Sequence, residues 1–259
     1  MRRSALSGIA QKRKRDHGVL EAIEYRVDDK VMTGFLADGS RGSPAPGILV
    51  CHEAGGLDDR AKRCAESLAD LGLVAFAMDM YGEPFSAEQA LTRHEALMST
   101  PGLMLKRASA ALEWLRAHKN VDVSRVGVVG FCQGGAAALE LARGGAPITV
   151  AVGFHPGFQK PAGTKPGRIA AKILMIIGND DPIVPEEARR AFIEEMDASK
   201  ADWQLHILGG VGHSFTNPAI DALAMPGFAY DPRAEQRAWT ALLRHLGECF
   251  QLPLQNLSE

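Results

Sequence analysis

Residues 125–142, RVGVVGFCQGGAAALELA, decide how the chain is read. An apolar run gives way at Gly130 to a cysteine held between glycines, and an alanine-rich stretch of helical character follows. Gly130-Phe131-Cys132-Gln133-Gly134 has the form G-x-C-x-G between a strand and a helix, the thiol counterpart of the G-x-S-x-G turn that lifts a nucleophile above a sheet. On so sharp a turn, side chains two residues before and after the tip would collide, and glycine removes them. Backbone N–H groups of the following helix point toward the tip and supply a positive field that favours thiolate. The plainer alternative is a small apolar cysteine at a tight strand–helix junction. The partners of Cys132 decide between the two.

Outward from this stretch the same alternation repeats. Apolar runs too short for ordinary helices, at 47–52, 73–79, 125–131, 148–154, 172–178 and 203–209, alternate with segments of helical period. Continuous apolar runs suit a sheet buried on both faces. Ala61, Cys64, Ala65, Leu68 and Leu71 share one helical face, as do Met104, Ala108, Ala111, Leu112 and Leu115, and Ala238, Trp239, Leu242, Leu243 and Leu246. The pattern predicts an α/β chain with a mainly parallel, doubly wound sheet, helices on both faces and right-handed crossovers. Residues 21–37 alternate and turn at Asp28-Asp29-Lys30, which predicts a leading hairpin. Residues 80–103 and 214–232 fit the alternation poorly and are predicted to form loops or short helices over the strand ends, where ligands bind in open α/β sheets.

The chain of 259 residues is expected to form one domain over 19–252, preceded by a mobile basic arm at 1–18 and followed by a short tail at 253–259. A formal net charge of -2 gives no global attraction to nucleic acid or to an anionic membrane. No apolar run reaches membrane-spanning length, and the arm lacks the apolar core of a secretory signal. The four cysteines are scattered without metal-type spacing, which predicts reduced thiols and a cytoplasmic setting. His52 and Glu53 next to Cys51 invite a metal reading, but neighbours on a strand face opposite ways, so neither a metal nor any other cofactor is expected.

An elbow nucleophile needs an acid and then a base later in the chain, each just beyond a strand. Asn179-Asp180-Asp181-Pro182 follows one buried strand, and Gly210-Val211-Gly212-His213-Ser214 follows the next. Of the eight histidines only His213 has this setting. Spacing alone does not choose between Asp180 and Asp181, though Asp180 can instead cap the helix that begins near Pro185.

With GFCQGG at 130–135, GNDDPIVP at 178–185, GVGHSF at 210–215, CHEAGG at 51–56 and DMYG at 79–82, the chain resembles the dienelactone hydrolase family of α/β-hydrolases over roughly residues 20–250. The resemblance implies an α/β-hydrolase fold and a Cys132, His213, Asp181 triad, because the family's D-x-x-V-P pattern selects Asp181. It also implies that Glu53 contacts the nucleophile region and helps ionise the thiol, and that the backbone N–H groups of Gln133 and Ala54 form the oxyanion hole. The implied activity is hydrolysis of small esters or lactones through a thioester, with amides disfavoured by their poorer leaving group. The family's arginine four residues past the histidine is Asn217 here, and a residue often tyrosine is His155. Tyr81, His155, Phe215 and Asn217 are the expected pocket residues, with Glu83 beside them and Arg93 or Arg107 as candidate replacement cations.

The expected partner is a small ester or lactone; neither a membrane nor a nucleic acid is expected, and the chain suits a monomer or a homodimer. A different class, a non-catalytic binding protein or thiol redox sensor built on the same fold, has no need of an acid–base relay. Nucleic-acid association through the arm is a weaker third reading.

Overall fold

The computed structural model describes residues 20–165 and 167–252; the expected arm at 1–18 and tail at 253–259 lie outside the described residues. The predicted hairpin forms as β1 (Glu21–Val27) and β2 (Lys30–Asp38), paired antiparallel, with Asp28 at φ 51 in the turn. The apolar runs become β3 (Ala45–Cys51), β4 (Val74–Met78), β5 (Val121–Phe131), β6 (Val150–Phe154), β7 (Lys172–Gly178) and β8 (Trp203–Leu208). Together they make one eight-stranded sheet in the order β1-β2-β4-β3-β5-β6-β7-β8, parallel from β4 through β8.

Alternation along the central strands sends side chains to two cores. Ile48 and Val50 face one, packed under α1 (Asp59–Asp70) and α6 (Pro232–Phe250). Leu49 and Cys51 face the other, under α3 (Leu103–Ala117), α4 (Gln133–Arg143) and α5 (Glu186–Ala198). The helix starts carry the capping chemistry their sequences suggest: Asp58 accepts from the Ala61 N–H, and Asp231 from those of Arg233 and Ala234. Among the described residues no helix is long and apolar enough to cross a membrane.

One departure from the expected pattern and one agreement with it matter. The run at 203–209 is expected to be buried on both faces, yet β8 is an edge strand with no fully buried residue, because among the described residues no strand pairs beyond it. The irregular stretch at 80–103 holds a ten-residue helix, α2 (Ala90–Ser99), of which only Leu97 is buried. One anchoring residue is too few to write a helical period into the sequence.

Candidate active site

Cys132 sits between the last residue of β5 and the first of α4, at φ 49 and ψ -114. A non-glycine residue in that region is strained, and the neighbours hold it there. Its N–H donates to the Phe154 carbonyl at 2.9 Å, and its own carbonyl accepts from Gly135 and Ala136. The flanking glycines do the steric work expected of them. A Cβ on Gly130 would lie 2.0 Å from the Gly134 carbonyl oxygen, and one on Gly134 would lie 2.1 Å from that of Cys51. The elbow is therefore wedged against the end of β3, with the thiol partly exposed at the tip.

The loops leaving β7 and β8 bring the two distant partners to this sulfur. His213 Nε2 lies 3.2 Å from Cys132 Sγ, and His213 Nδ1 lies 2.7 Å from Asp181 Oδ2. Asp181 is buried and its other oxygen accepts the Ile183 N–H at 2.8 Å, which fixes the carboxylate plane. Asp180 is exposed and bonds to Asn179, and Pro185 caps α5 without a side-chain bond, so the choice left open by spacing falls to Asp181. Gly212 lets the chain pass the Gly227 carbonyl, where a Cβ would come within 2.4 Å; the His213 N–H then donates to that carbonyl at 2.8 Å. Burial alone would push the His213 imidazole down, but hydrogen bonds to Asp181 and Cys132 outweigh it and raise the group to about 10.

Gln133 occupies the first position of α4, where a backbone N–H has no partner within the helix, as an oxyanion donor requires. The Tyr81 hydroxyl lies 2.7 Å from Gln133 Oε1 and 3.1 Å from the Ala54 carbonyl, so one phenol ties together the two segments expected to form the oxyanion hole. Burial pushes this phenol up to about 12, which keeps it a neutral donor.

The carboxylate of Glu53 is engaged away from the sulfur. Its Oε1 lies 3.0 Å from Arg60 Nη2, and its Oε2 accepts from Asn217 Nδ2 at 2.7 Å. Arg60 also donates to Thr216 Oγ1, and its guanidinium stacks 4.2 Å over Phe131, the residue before the nucleophile. Among the described contacts the direct partner of the thiol is His213, and Glu53 reaches the site through the strut that holds the 214–218 turn. Burial raises the Glu53 carboxyl, against the pull of Arg60.

His155 and Phe215, expected to line the pocket, are both fully buried: Phe215 packs edge-on against His155 at 5.1 Å, and His155 lies against the His213 ring. The His155 ring meets that of His213 edge-on at 5.2 Å and donates or accepts at Thr216 Oγ1, and burial holds its imidazole neutral, far below the ordinary range. His52 is likewise buried and neutral, with Nε2 accepting the Met80 N–H and Nδ1 against the Glu53 carbonyl. Arg93 pairs with Glu83, and Arg107 donates to the Met80 carbonyl.

Sequence reasoning missed Arg60, Thr216, His94 and Phe228. His94, on α2, contacts Gln133 Oε1 at 2.7 Å, and the Phe228 ring lies 4.8 Å from that of His213. None stands in a motif; each is brought in by a helix or loop whose approach only the fold sets.

Comparison with known proteins agrees with this architecture. The profile of the dienelactone hydrolase family matches residues 32–250. The probable 2-oxo-3-(5-oxofuran-2-ylidene)propanoate lactonase of Bradyrhizobium sp is 32% identical over 241 residues, covering 88% of this chain and 93% of the relative. The carboxymethylenebutenolidase of Pseudomonas putida is 27% identical over 205 residues, covering 75% and 85%. Among solved structures, a dienelactone hydrolase-like promiscuous phosphotriesterase from metagenomic libraries is 40% identical, with a TM-score of 0.84 over 89% of this chain and 98% of that one.

Proposed function

The chain belongs to the dienelactone hydrolase family and is a carboxylic ester or lactone hydrolase; on that premise we propose that Cys132 is its nucleophile, His213 its acid and base, and Asp181 the orienting carboxylate. The observation that carries the reading is a single imidazole with one nitrogen 3.2 Å from the sulfur and the other 2.7 Å from a buried carboxylate. In the proposed course the thiolate attacks the carbonyl carbon, and the oxygen takes the electron pair opposite the Gln133 and Ala54 N–H groups. Collapse breaks the C–O bond, and the alkoxide or enolate takes a proton from Nε2 of the imidazolium. Water, losing its proton to the same nitrogen, then hydrolyses the thioester and returns the thiol. Asp181 keeps the imidazole in the productive tautomer throughout. The reduced thiols the mechanism needs fit a cytoplasmic setting.

Stoichiometric alkylation tests the nucleophile against the thiol-sensor reading. Loss of ester turnover in step with carboxymethylation of Cys132 supports it, and full turnover after complete alkylation of that residue contradicts it.

The charge of the substrate follows from how the nearby cations are occupied. Asn217 stands where the family resemblance implies an arginine, while Arg60, Arg93 and Arg107 each have protein partners. A carboxylated lactone is therefore expected to have no kcat/KM advantage over its neutral analogue, a relative shift of about tenfold or more from a site that keeps one charge-assisted contact. The name of the Bradyrhizobium relative concerns an anionic lactone, which makes the comparison decisive. A strong preference for the carboxylated compound contradicts the expectation.

A pH dependence also follows. An unfolded histidine titrates near ~6.5, and His213 in the fold is raised to about 10. The stabilisation from holding this proton is complete below the unfolded value and is lost as the pH climbs through the folded one. The general acid disappears over the same range. Turnover of an alkyl ester, whose alkoxide needs a proton, is expected to hold across neutral pH and decline as the pH passes about 10. An alkaline decline centred near neutrality, measured on the folded protein, contradicts this.

The metagenomic phosphotriesterase suggests a second substrate class, phosphotriesters attacked at phosphorus by the same thiolate. Paraoxon hydrolysis lost together with ester hydrolysis in Cys132→Ala supports it.

A further inference from the structure

Away from the elbow, a groove of about 710 Å³ runs between the outer strand β8 and helix α6, and it shares no residue with the Cys132 site. Arg233, Arg237 and Arg244 line it from α6, His206 from β8, and His245 from the base of the helix. All three arginines are exposed, and among the described residues none forms an ion pair with a carboxylate. The acids nearest in sequence are occupied elsewhere: Asp231 caps the helix, and Glu235 accepts the Tyr230 hydroxyl. The single carboxylate in the lining, Glu248, is bonded to Lys172 of β7 at 3.3 Å.

This arrangement is unfavourable without an anion. Arg233 stands in the first turn of a 19-residue helix, where the macrodipole disfavours a cation. Arg237 lies one turn on, and like charges at that spacing repel by a few tenths of a kcal/mol in an isolated helix. The remaining observation is independent of charge. His245 is 5% exposed, and no side chain satisfies either ring nitrogen, the Lys172 backbone being the nearby polar contact. Burial holds this imidazole below its ordinary value and the Lys172 charge adds to that, while Glu248, Asp202 and the Lys172 backbone pull the other way. From Arg233 to Arg244 the helix advances roughly 16 Å at about 1.5 Å per residue, so the positive charge is strung out along the groove. The volume is that of a small-molecule site, too small to seat a macromolecule.

We propose that the groove between β8 and α6 is a second binding site, taking a chain of phosphate groups such as a linear polyphosphate or the polyphosphate of a nucleotide. Guanidinium groups match phosphate in geometry, and a linear chain of anions matches their row.

Isothermal titration calorimetry on the full-length protein tests this with tripolyphosphate and, separately, ATP. Saturable binding of tripolyphosphate is expected, weakened at least about fivefold by Arg237→Gln and by Arg244→Gln and reduced by added salt. The basic stretch at 1–18 is present in every variant, so only loss on the groove substitutions counts as support. Tighter binding of ATP assigns the base a place in the groove, and equal binding assigns the ligand as the phosphate chain alone. Arg237→Gln is further expected to leave ester hydrolysis unchanged and to raise the thermal midpoint of the ligand-free protein by relieving repulsion. Tripolyphosphate binding no tighter than that of sulfate, affinity untouched by both substitutions, binding to an oligonucleotide but not to tripolyphosphate, or a lowered midpoint in Arg237→Gln overturns the proposal.

Discussion

Cys132→Ala is expected to lower kcat/KM for p-nitrophenyl acetate by at least about 10⁴-fold, the order seen when a covalent nucleophile is removed. That is about 5.5 kcal/mol of transition-state stabilisation at 25 °C. The size of the effect depends on whether another thiol can take over, and the environments of the other three argue that none can. Cys51 is fully buried against the sulfur of Met78, and burial pushes its thiol far above the ordinary range. Cys64, on the buried face of α1, is pushed up to about 12, and Cys249 up to about 11, so neither supplies useful thiolate at neutral pH. The loss should fall on kcat with the fold intact, because the substitution removes one partly exposed sulfur and leaves the glycine-wedged backbone in place. Steady-state kinetics alongside a urea unfolding curve check this. A residual rate within tenfold of the parent, with the fold preserved, contradicts the nucleophile assignment.

Asp181→Asn should cost about 10³- to 10⁴-fold in kcat with little change in KM. The carboxylate accepts from His213 Nδ1 at 2.7 Å, which leaves Nε2 to face the sulfur. An amide of the same shape can present its NH₂ to Nδ1 instead, which places the ring proton on Nε2 and leaves the thiol without a base. The buried imidazolium also loses one of the two groups that hold it near 10 against the desolvation that would push it down. Two readouts follow together: the rate falls, and the alkaline limb moves to lower pH. A variant with a tenfold or smaller loss and an unmoved limb would show that Asp181 only packs against the ring. Asp180→Asn, at an exposed position bonded to Asn179, is the matched control and should stay within about twofold.

Much of this was legible in the chain because the signals are local. The hairpin is written in the alternation of residues 21–37, and the glycines around Cys132 announce a turn that admits no Cβ. The order of cysteine, aspartate and histidine, each beyond a strand, needed only the periodicities on either side. The choice of Asp181 over Asp180 came from resemblance alone, and the burial of one against the exposure of the other gives it a physical basis.

What stayed hidden depends on long-range approach. Arg60 falls on the apolar face of α1 as one charge among several, and nothing nearby says that its guanidinium reaches Glu53 and Thr216 while stacking on Phe131. His155 read as a pocket residue because it stands where the resembled family often has a tyrosine, but the fold buries it against the His213 ring. His94 belongs to a helix held to the core by Leu97, too weakly periodic to be recognised, and its link to Gln133 follows from where that helix lies. The exposed edge of β8 was invisible for a similar reason, since strand order decides which strand is last.

Mass spectrometry of the protein quenched in acid during p-nitrophenyl acetate turnover reads the chemistry at the sulfur most directly. The mechanism requires one acetyl group per chain, mapped by peptide digestion to Cys132 and absent from Cys51, Cys64 and Cys249. Rapid turnover with no acyl adduct on Cys132 at any quench time, even in His213→Ala where deacylation should be slowest, would contradict covalent catalysis by this thiol.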